Sequence, residues 1–157
     1  MSAHEYRLIA RSRSVEELVG DDRVDVSLYN DPQLFEAEMD KIFYRTWVWV
    51  AHESEVRNAG DFKTTSVGRR PVIVVRDKKG NINVLENRCR HRGATVCEKH
   101  KGNATGFTCP YHSWSYALDG KLRALPYPDG YEDILDKSEL PLTSLRVESY
   151  AGMVFAT

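Results

Sequence analysis

Cys89 and His91 stand one residue apart, and Cys109 and His112 stand two apart, with residues 92 to 108 between the pairs. Each half offers one thiolate and one imidazole on a short turn. Two Cys and two His make a metal-ligand set, and the spacing bears on which metal. Structural zinc sites usually pair Cys with Cys and His with His within each half. Here the donor types are mixed in both halves, and the first pair is unusually close. A mixed pair per loop suits a two-iron cluster better: two soft thiolates hold one iron and two imidazoles hold the other.

Charge counting says what such a group would do. With two sulfides, two thiolates and neutral imidazoles, a diferric core is neutral and its one-electron reduced form is singly negative. An all-Cys cluster would start two charges lower and resist reduction more. Replacing two thiolates by imidazoles lifts the potential into the range of about −150 to +300 mV. The chemistry is one-electron relay, with no evident open coordination position.

The rest of the chain must position these four residues. At 157 residues it is one domain, or one domain with an extension. A net charge of −1 gives no global attraction to nucleic acid or a membrane surface, and no apolar run approaches a membrane span. Met1 to Arg13 lacks the apolar stretch of a secretory signal. With two of three Cys assigned to iron, Cys97 is left unpaired and reads as a small buried hydrophobe. That argues against a disulfide scaffold and for a reducing, cytoplasmic setting.

Ser14 to Glu17 fits a capping box, Gly20 fits a helix C′ position, and Val15, Leu18 and Val19 would form a small apolar face. Asp21 to Asn30 reads as an extended connector. Asp31 can cap a helix with Pro32 in its first turn, and Phe35, Met39, Ile42 and Phe43 fall on one face. From Trp47 the period becomes that of strands: 47–51, 62–67, 71–75, 82–85, 106–108, 115–118, 121–125, 145–149 and 153–156. Turns are expected at Asn58–Asp61, at Gly68–Arg70 and at Asp77–Asn81. Asp119-Gly120 has the signature of a primed turn. Pro126 to Pro141 reads as loop with one helical turn near Glu132 to Leu135. The expected fold is mostly β, an antiparallel sandwich or small barrel with two cluster-binding loops and an N-terminal helix.

Around the ligands, Gly93 and Pro110 shape the loops, Gly by allowing close backbone approach to sulfur. Arg88, Arg90 and Arg92 are either a solvated run or a basic collar that favours the reduced core and steers an acidic electron donor. Trp114 and Tyr116 pack beneath the second loop, and Tyr116 can donate a hydrogen bond to a ligand sulfur. His4, His52 and His100 are scattered, with His52 at a strand end and His100 exposed.

Cys89-Arg90-His91-Arg92-Gly93 and Cys109-Pro110-Tyr111-His112-x-Trp114-x-Tyr116 resemble the Rieske [2Fe-2S] domain of ring-hydroxylating oxygenase large (alpha) subunits. So do Asn30-Asp31-Pro32 with the helix after it, Thr46-Trp47, Ala51 to Glu55, and Glu148 to Phe155. The similarity is nearest to enzymes of benzoate, anthranilate and terephthalate. It implies a Rieske-type fold over 46–157 behind a helical extension, 1–45. It also implies a [2Fe-2S] cluster held by Cys89, His91, Cys109 and His112. Electrons would come from a reductase or ferredoxin and pass to a mononuclear Fe(II) in the catalytic domain of a neighbouring alpha subunit, His112 facing a carboxylate there. The whole protein would be a homotrimer, or an α3β3 assembly with a beta subunit. No catalytic residue and no two-His-one-carboxylate set is expected in these 157 residues, so the catalytic domain is absent and the chain reads as a fragment. A stand-alone Rieske-type ferredoxin is the alternative, and the helix and Trp47 strand before the core speak against it. A respiratory-type Rieske protein is disfavoured because Tyr111 stands where an interloop disulfide Cys belongs. Trp114 replaces that type's Ser, which points to a potential low in the Rieske range. Ser113 departs from the Gly that commonly follows the second ligand His.

Overall fold

The computed structural model describes residues 14–131 and 134–157. The chain divides into two compact units, with the boundary between Ile42 and Phe43.

In the first unit the Ser14 capping box forms, with Ser14 N–H on the Glu17 carboxylate at 2.7 Å, but it starts only a single 3-10 turn, Glu16–Leu18. Gly20 is not left-handed and caps no α-helix. Leu18 is buried while Val15 and Val19 stay exposed. The stretch 21–30 is not wholly extended: it holds a helical turn at Ser27–Asn30, whose Ser27 N–H bonds the Asp25 carboxylate at 3.0 Å. Helix α1, Pro32–Glu38, begins as its sequence requires, with the Asp31 carboxylate accepting from the N–H groups of Gln33 and Leu34. It then widens into a π-helical turn, Met39–Phe43. The extra residue per turn rotates later side chains off the α period. Of the expected apolar face only Met39 is buried, while Phe35 and Ile42 remain exposed.

The second unit is built on a sheet of four antiparallel strands in the order β4-β3-β2-β5: β2 Asp61–Val67, β3 Arg70–Arg76, β4 Ile82–Glu86 and β5 Lys101–Asn103. Val72 to Val75 form an unbroken apolar run because both faces of β3 are covered. On one face Val72, Val74 and Val84 pack against Val50, Ala51, Val154 and Ala156 of an outer sheet. That sheet has the order β1-β10-β9, from β1 Val48–His52, β10 Met153–Ala156 and β9 Val147–Tyr150. On the other face Ile73, Val75 and Leu85 pack against Cys89, Phe107, Cys109, Trp114, Tyr116, Leu122 and Leu142. This second core carries the ligand loops and a third sheet, β6 Phe107–Thr108, β7 Ser115–Tyr116 and β8 Leu122–Ala124. The expected sandwich is therefore three layers deep, with the middle layer doubly buried.

One turn differs from expectation. At Asp119-Gly120 only Gly120 has positive φ, and Gly120 N–H bonds Ala117 O at 3.0 Å. This is a type I turn closed by a left-handed Gly, repeated at Gly80, rather than a primed turn. The primed signature lies at Ala151-Gly152, where both residues have positive φ (49° and 81°) between β9 and β10. Strand β5 falls inside the spacer, where no strand is expected. Its sequence is polar because all three of its residues are exposed at the sheet edge. The region 126–141 holds 3-10 turns at Pro128–Tyr131 and Lys137–Glu139, and the turn expected at 132–135 includes residues outside the described set.

Candidate metal centre

The two ligand loops share one backbone design. In the first, Cys89 N–H bonds Ala94 O at 2.8 Å and Gly93 N–H bonds Cys89 O at 2.8 Å. In the second, Cys109 N–H bonds Trp114 O at 2.8 Å and Ser113 N–H bonds Cys109 O at 3.0 Å. Each loop thus closes on its own Cys and throws its His outward. Gly93 and Ser113 occupy the same place in the two loops, and both are left-handed, at φ 74° and 58°. Gly is at ease there, whereas an L side chain is strained. No protein atom lies within 4 Å of where a Gly93 Cβ would sit, so within the chain it is the left-handed backbone that calls for Gly here.

All four sequence-predicted residues come to one end of the second core. Cys89 and Cys109 are buried, and the rings of His91 and His112 lie edge to face with centroids 4.7 Å apart. His91 Nδ1 is buried without a hydrogen-bond partner. A buried ring nitrogen with nothing to bond is rare in a settled fold, and a metal bound there would satisfy it. Burial, helped by the nearby His112 and Arg92 charges, pushes the His91 pKa down, which keeps the imidazole in the neutral form a ligand needs. Among the described residues no three His, Cys, Asp or Glu side chains converge as a single ion would require. A two-iron cluster asks for only two protein donors on each iron. The donor set and the orphaned nitrogen fit that group.

Aromatic side chains finish the site. Trp114 is buried and stacks on His91, centroids 4.8 Å apart at 12°. Tyr111 stacks on His112, centroids 3.8 Å apart at 29°, and is itself exposed. The fully buried Tyr116 hydroxyl accepts from Arg90 N–H at 3.0 Å and lies 3.2 Å from Cys89 Sγ. Burial, and then the Cys89 sulfur, push the Tyr116 pKa up, so the hydroxyl keeps its proton and would donate to Cys89 held as a metal-bound thiolate.

The arginines divide. Arg88 approaches Glu86 at 3.8 Å, so part of its charge is answered locally. Arg90 serves through its backbone, and Arg92 lies over the Tyr111 ring at 5.7 Å. His100 is exposed, and His52 caps the turn Glu53–Glu55 by accepting from Ser54 N–H; neither joins the site. Cys97 is buried in the second core with its thiol toward Lys99 O.

One supporting residue was not foreseen. The buried Asn87 side chain accepts from Val96 and Cys97 N–H and donates to Cys97 O at 2.7 Å. It ties the spacer to the base of the first loop. The signal was a polar residue closing an apolar strand two positions before Cys89.

The Rieske [2Fe-2S] domain family matches residues 46–150. The chain is 44% identical over 135 residues to the anthranilate 1,2-dioxygenase large subunit of Acinetobacter baylyi, covering 86% of this chain and 29% of that protein. It is 42% identical over 134 residues to a benzene 1,2-dioxygenase subunit alpha of Pseudomonas putida, covering 85% of this chain and 30% of that one. The solved naphthalene 1,2-dioxygenase from Rhodococcus sp. superposes with a TM-score of 0.83 at 35% identity, covering 100% of this chain and 36% of that one. The chain therefore spans about three tenths of the length of the curated relatives it matches.

Replacing Tyr116 by Phe removes the proton donor from Cys89 sulfur. A loss of about 1 kcal/mol from the reduced form corresponds to a fall of roughly 40 mV. Potentiometric titration of the variant should show such a fall, and an unchanged midpoint would remove Tyr116 from the redox chemistry. Ser113→Gly should raise unfolding stability by roughly 1 kcal/mol, by relieving the left-handed strain. Thermal melting checks this, with the midpoint potential expected to stay put.

Proposed function

This chain belongs to the Rieske [2Fe-2S] domain family, and from that premise we propose that it is the electron-carrying part of the large (alpha) subunit of an aromatic-ring-hydroxylating oxygenase. In the whole protein it would take electrons from a reductase or ferredoxin and pass them to the mononuclear iron of a catalytic domain in a neighbouring alpha subunit. The relatives' names as large and alpha subunits support this reading.

The observation that carries the proposal is the separation of two buried sulfurs from two facing imidazoles at one end of a rigid core. Cys89 and Cys109 would hold one iron and His91 and His112 the other. When bound, the group supplies a store for a single electron. The chain's own residues set how readily that store fills. Neutral imidazoles would keep the core charge low, and Tyr116, 3.2 Å from Cys89 sulfur, would donate to it once that sulfur is a bound thiolate. Trp114 excludes water from the inner face of His91. The buried surroundings leave little to reorganise when the charge changes, since Ile73, Val75 and Leu85 of the middle sheet form the floor. An arrangement in homotrimers or with a beta subunit, a cytoplasmic setting and an aromatic carboxylate as substrate belong to the same proposal. Among the described residues no helix is long and apolar enough to cross a membrane.

A redox titration of the iron-loaded protein should give a midpoint low in the range of about −150 to +300 mV, and a clearly positive value would count against the assignment to this branch of the family. His112→Cys should lower the midpoint, because it adds a negative charge to the core. An unchanged potential with the cluster intact would mean that His112 is not a ligand.

A further inference from the structure

We propose that Arg92 and Tyr111 form a noncovalent staple that closes the two ligand loops over the cluster, making Tyr111 a positioning residue for His112. The inference rests on the cluster assignment above and concerns what holds the outer side of the site.

Among the described residues, three sets of contacts tie one loop to the other besides the facing His91 and His112 rings themselves. Two come from beneath, on the side of the second core: Trp114 stacks on His91, and Tyr116 reaches Cys89 sulfur and Arg90 N–H. Trp114 and Tyr116 are buried. The third lies on the solvent side. Arg92 follows His91 in the first loop, Tyr111 precedes His112 in the second, and the guanidinium sits 5.7 Å from the ring centroid. That is within the reach of a cation–π contact.

The solvent side needs such a contact. Arg92 and Gly93 are exposed at the tip of the first loop, and nothing lies within 4 Å of where a Gly93 Cβ would be. Across from it, Tyr111 is 58% exposed although its ring lies flat on His112 at 3.8 Å. A large aromatic side chain left in solvent covers its ligand only if its orientation is fixed. Pro110 fixes the backbone before it, and the stack and the cation on its ring fix the side chain. The consequence is an asymmetry between the two imidazoles: the His91 ring is backed by the core, and the His112 ring by a surface pair that can come apart.

The test uses purified, iron-loaded protein. Iron and acid-labile sulfide in the unaltered protein come first, because their absence would sink the cluster assignment and not the staple specifically. The variants are Tyr111→Phe, Tyr111→Leu, Arg92→Gln and the double change Arg92→Gln with Tyr111→Leu. The readouts are the rate of colour loss in excess iron chelator and the electron paramagnetic resonance lineshape of the reduced state. Tyr111→Phe keeps both ring contacts and should match the unaltered protein. Arg92→Gln should speed colour loss about two- to fivefold, the size of an exposed cation–π contact. Tyr111→Leu should do so at least as strongly and also change the lineshape, since His112 loses its stacked ring. The double variant should be no faster than Tyr111→Leu alone. The staple is overturned if the two single effects multiply in the double variant, if Tyr111→Phe is as fast as Tyr111→Leu, or if Arg92→Gln bleaches at the unaltered rate. Should Tyr111→Leu not accumulate as folded protein, Arg92→Gln in the Tyr111→Phe background, expected to show the same acceleration as Arg92→Gln alone, decides the matter.

Discussion

Two sulfurs and two imidazoles can share a single buried group only if two separate pieces of chain arrive at one place with matching curvature. The paired hydrogen bonds that close each loop on its own Cys meet that constraint. They aim both Cys inward and both His outward, and they impose a left-handed residue at one position of each loop. Gly93 fills it without strain and Ser113 fills it with some. The second core packs both loops against the middle sheet. The doubly buried middle sheet gives them a rigid floor, and Asn87 fixes the spacer that joins them.

Burial then does chemical work. Partial burial of His91, with His112 and Arg92 nearby, lowers its pKa and favours the neutral ring, and a neutral imidazole is what distinguishes this donor set from an all-thiolate one. The same burial holds the Tyr116 proton in place, so that a donor faces the sulfur on which negative charge accumulates. Hydrogen bonding to sulfur and the number of anionic ligands are separate controls on one potential, and the fold supplies both from side chains within a few residues of the motif.

Most of the strands were legible because β-branched and aromatic residues gather where sheets are covered; the run Val72 to Val75 marks the strand buried on both faces. Type and spacing alone marked the four candidate ligands that the fold brings to one place, as they did the reach of Tyr116 to sulfur. What escaped the sequence was set by tertiary contact. Strand β5 is polar because it lies exposed at an edge, so no alternation announces it. The π turn after Glu38 is a local widening that side-chain periodicity does not encode. Asp119-Gly120 lacks the expected primed turn, since only its Gly has positive φ, and the two positive φ values that a primed turn needs lie at Ala151-Gly152, where Ala carries one at some strain. Asn87 reads as an ordinary loop residue until Val96 and Cys97 are placed beside it.

The central claim is the division of donors, sulfur on one iron and nitrogen on the other. Mössbauer spectroscopy of the protein enriched in the iron-57 isotope, taken after one-electron reduction, addresses it most directly. The expected result is two distinct iron sites of equal intensity, one ferric and sulfur-like, the other ferrous and bound by neutral nitrogen. Two sites that are both sulfur-like, or a sample that holds a single iron or none, would contradict it.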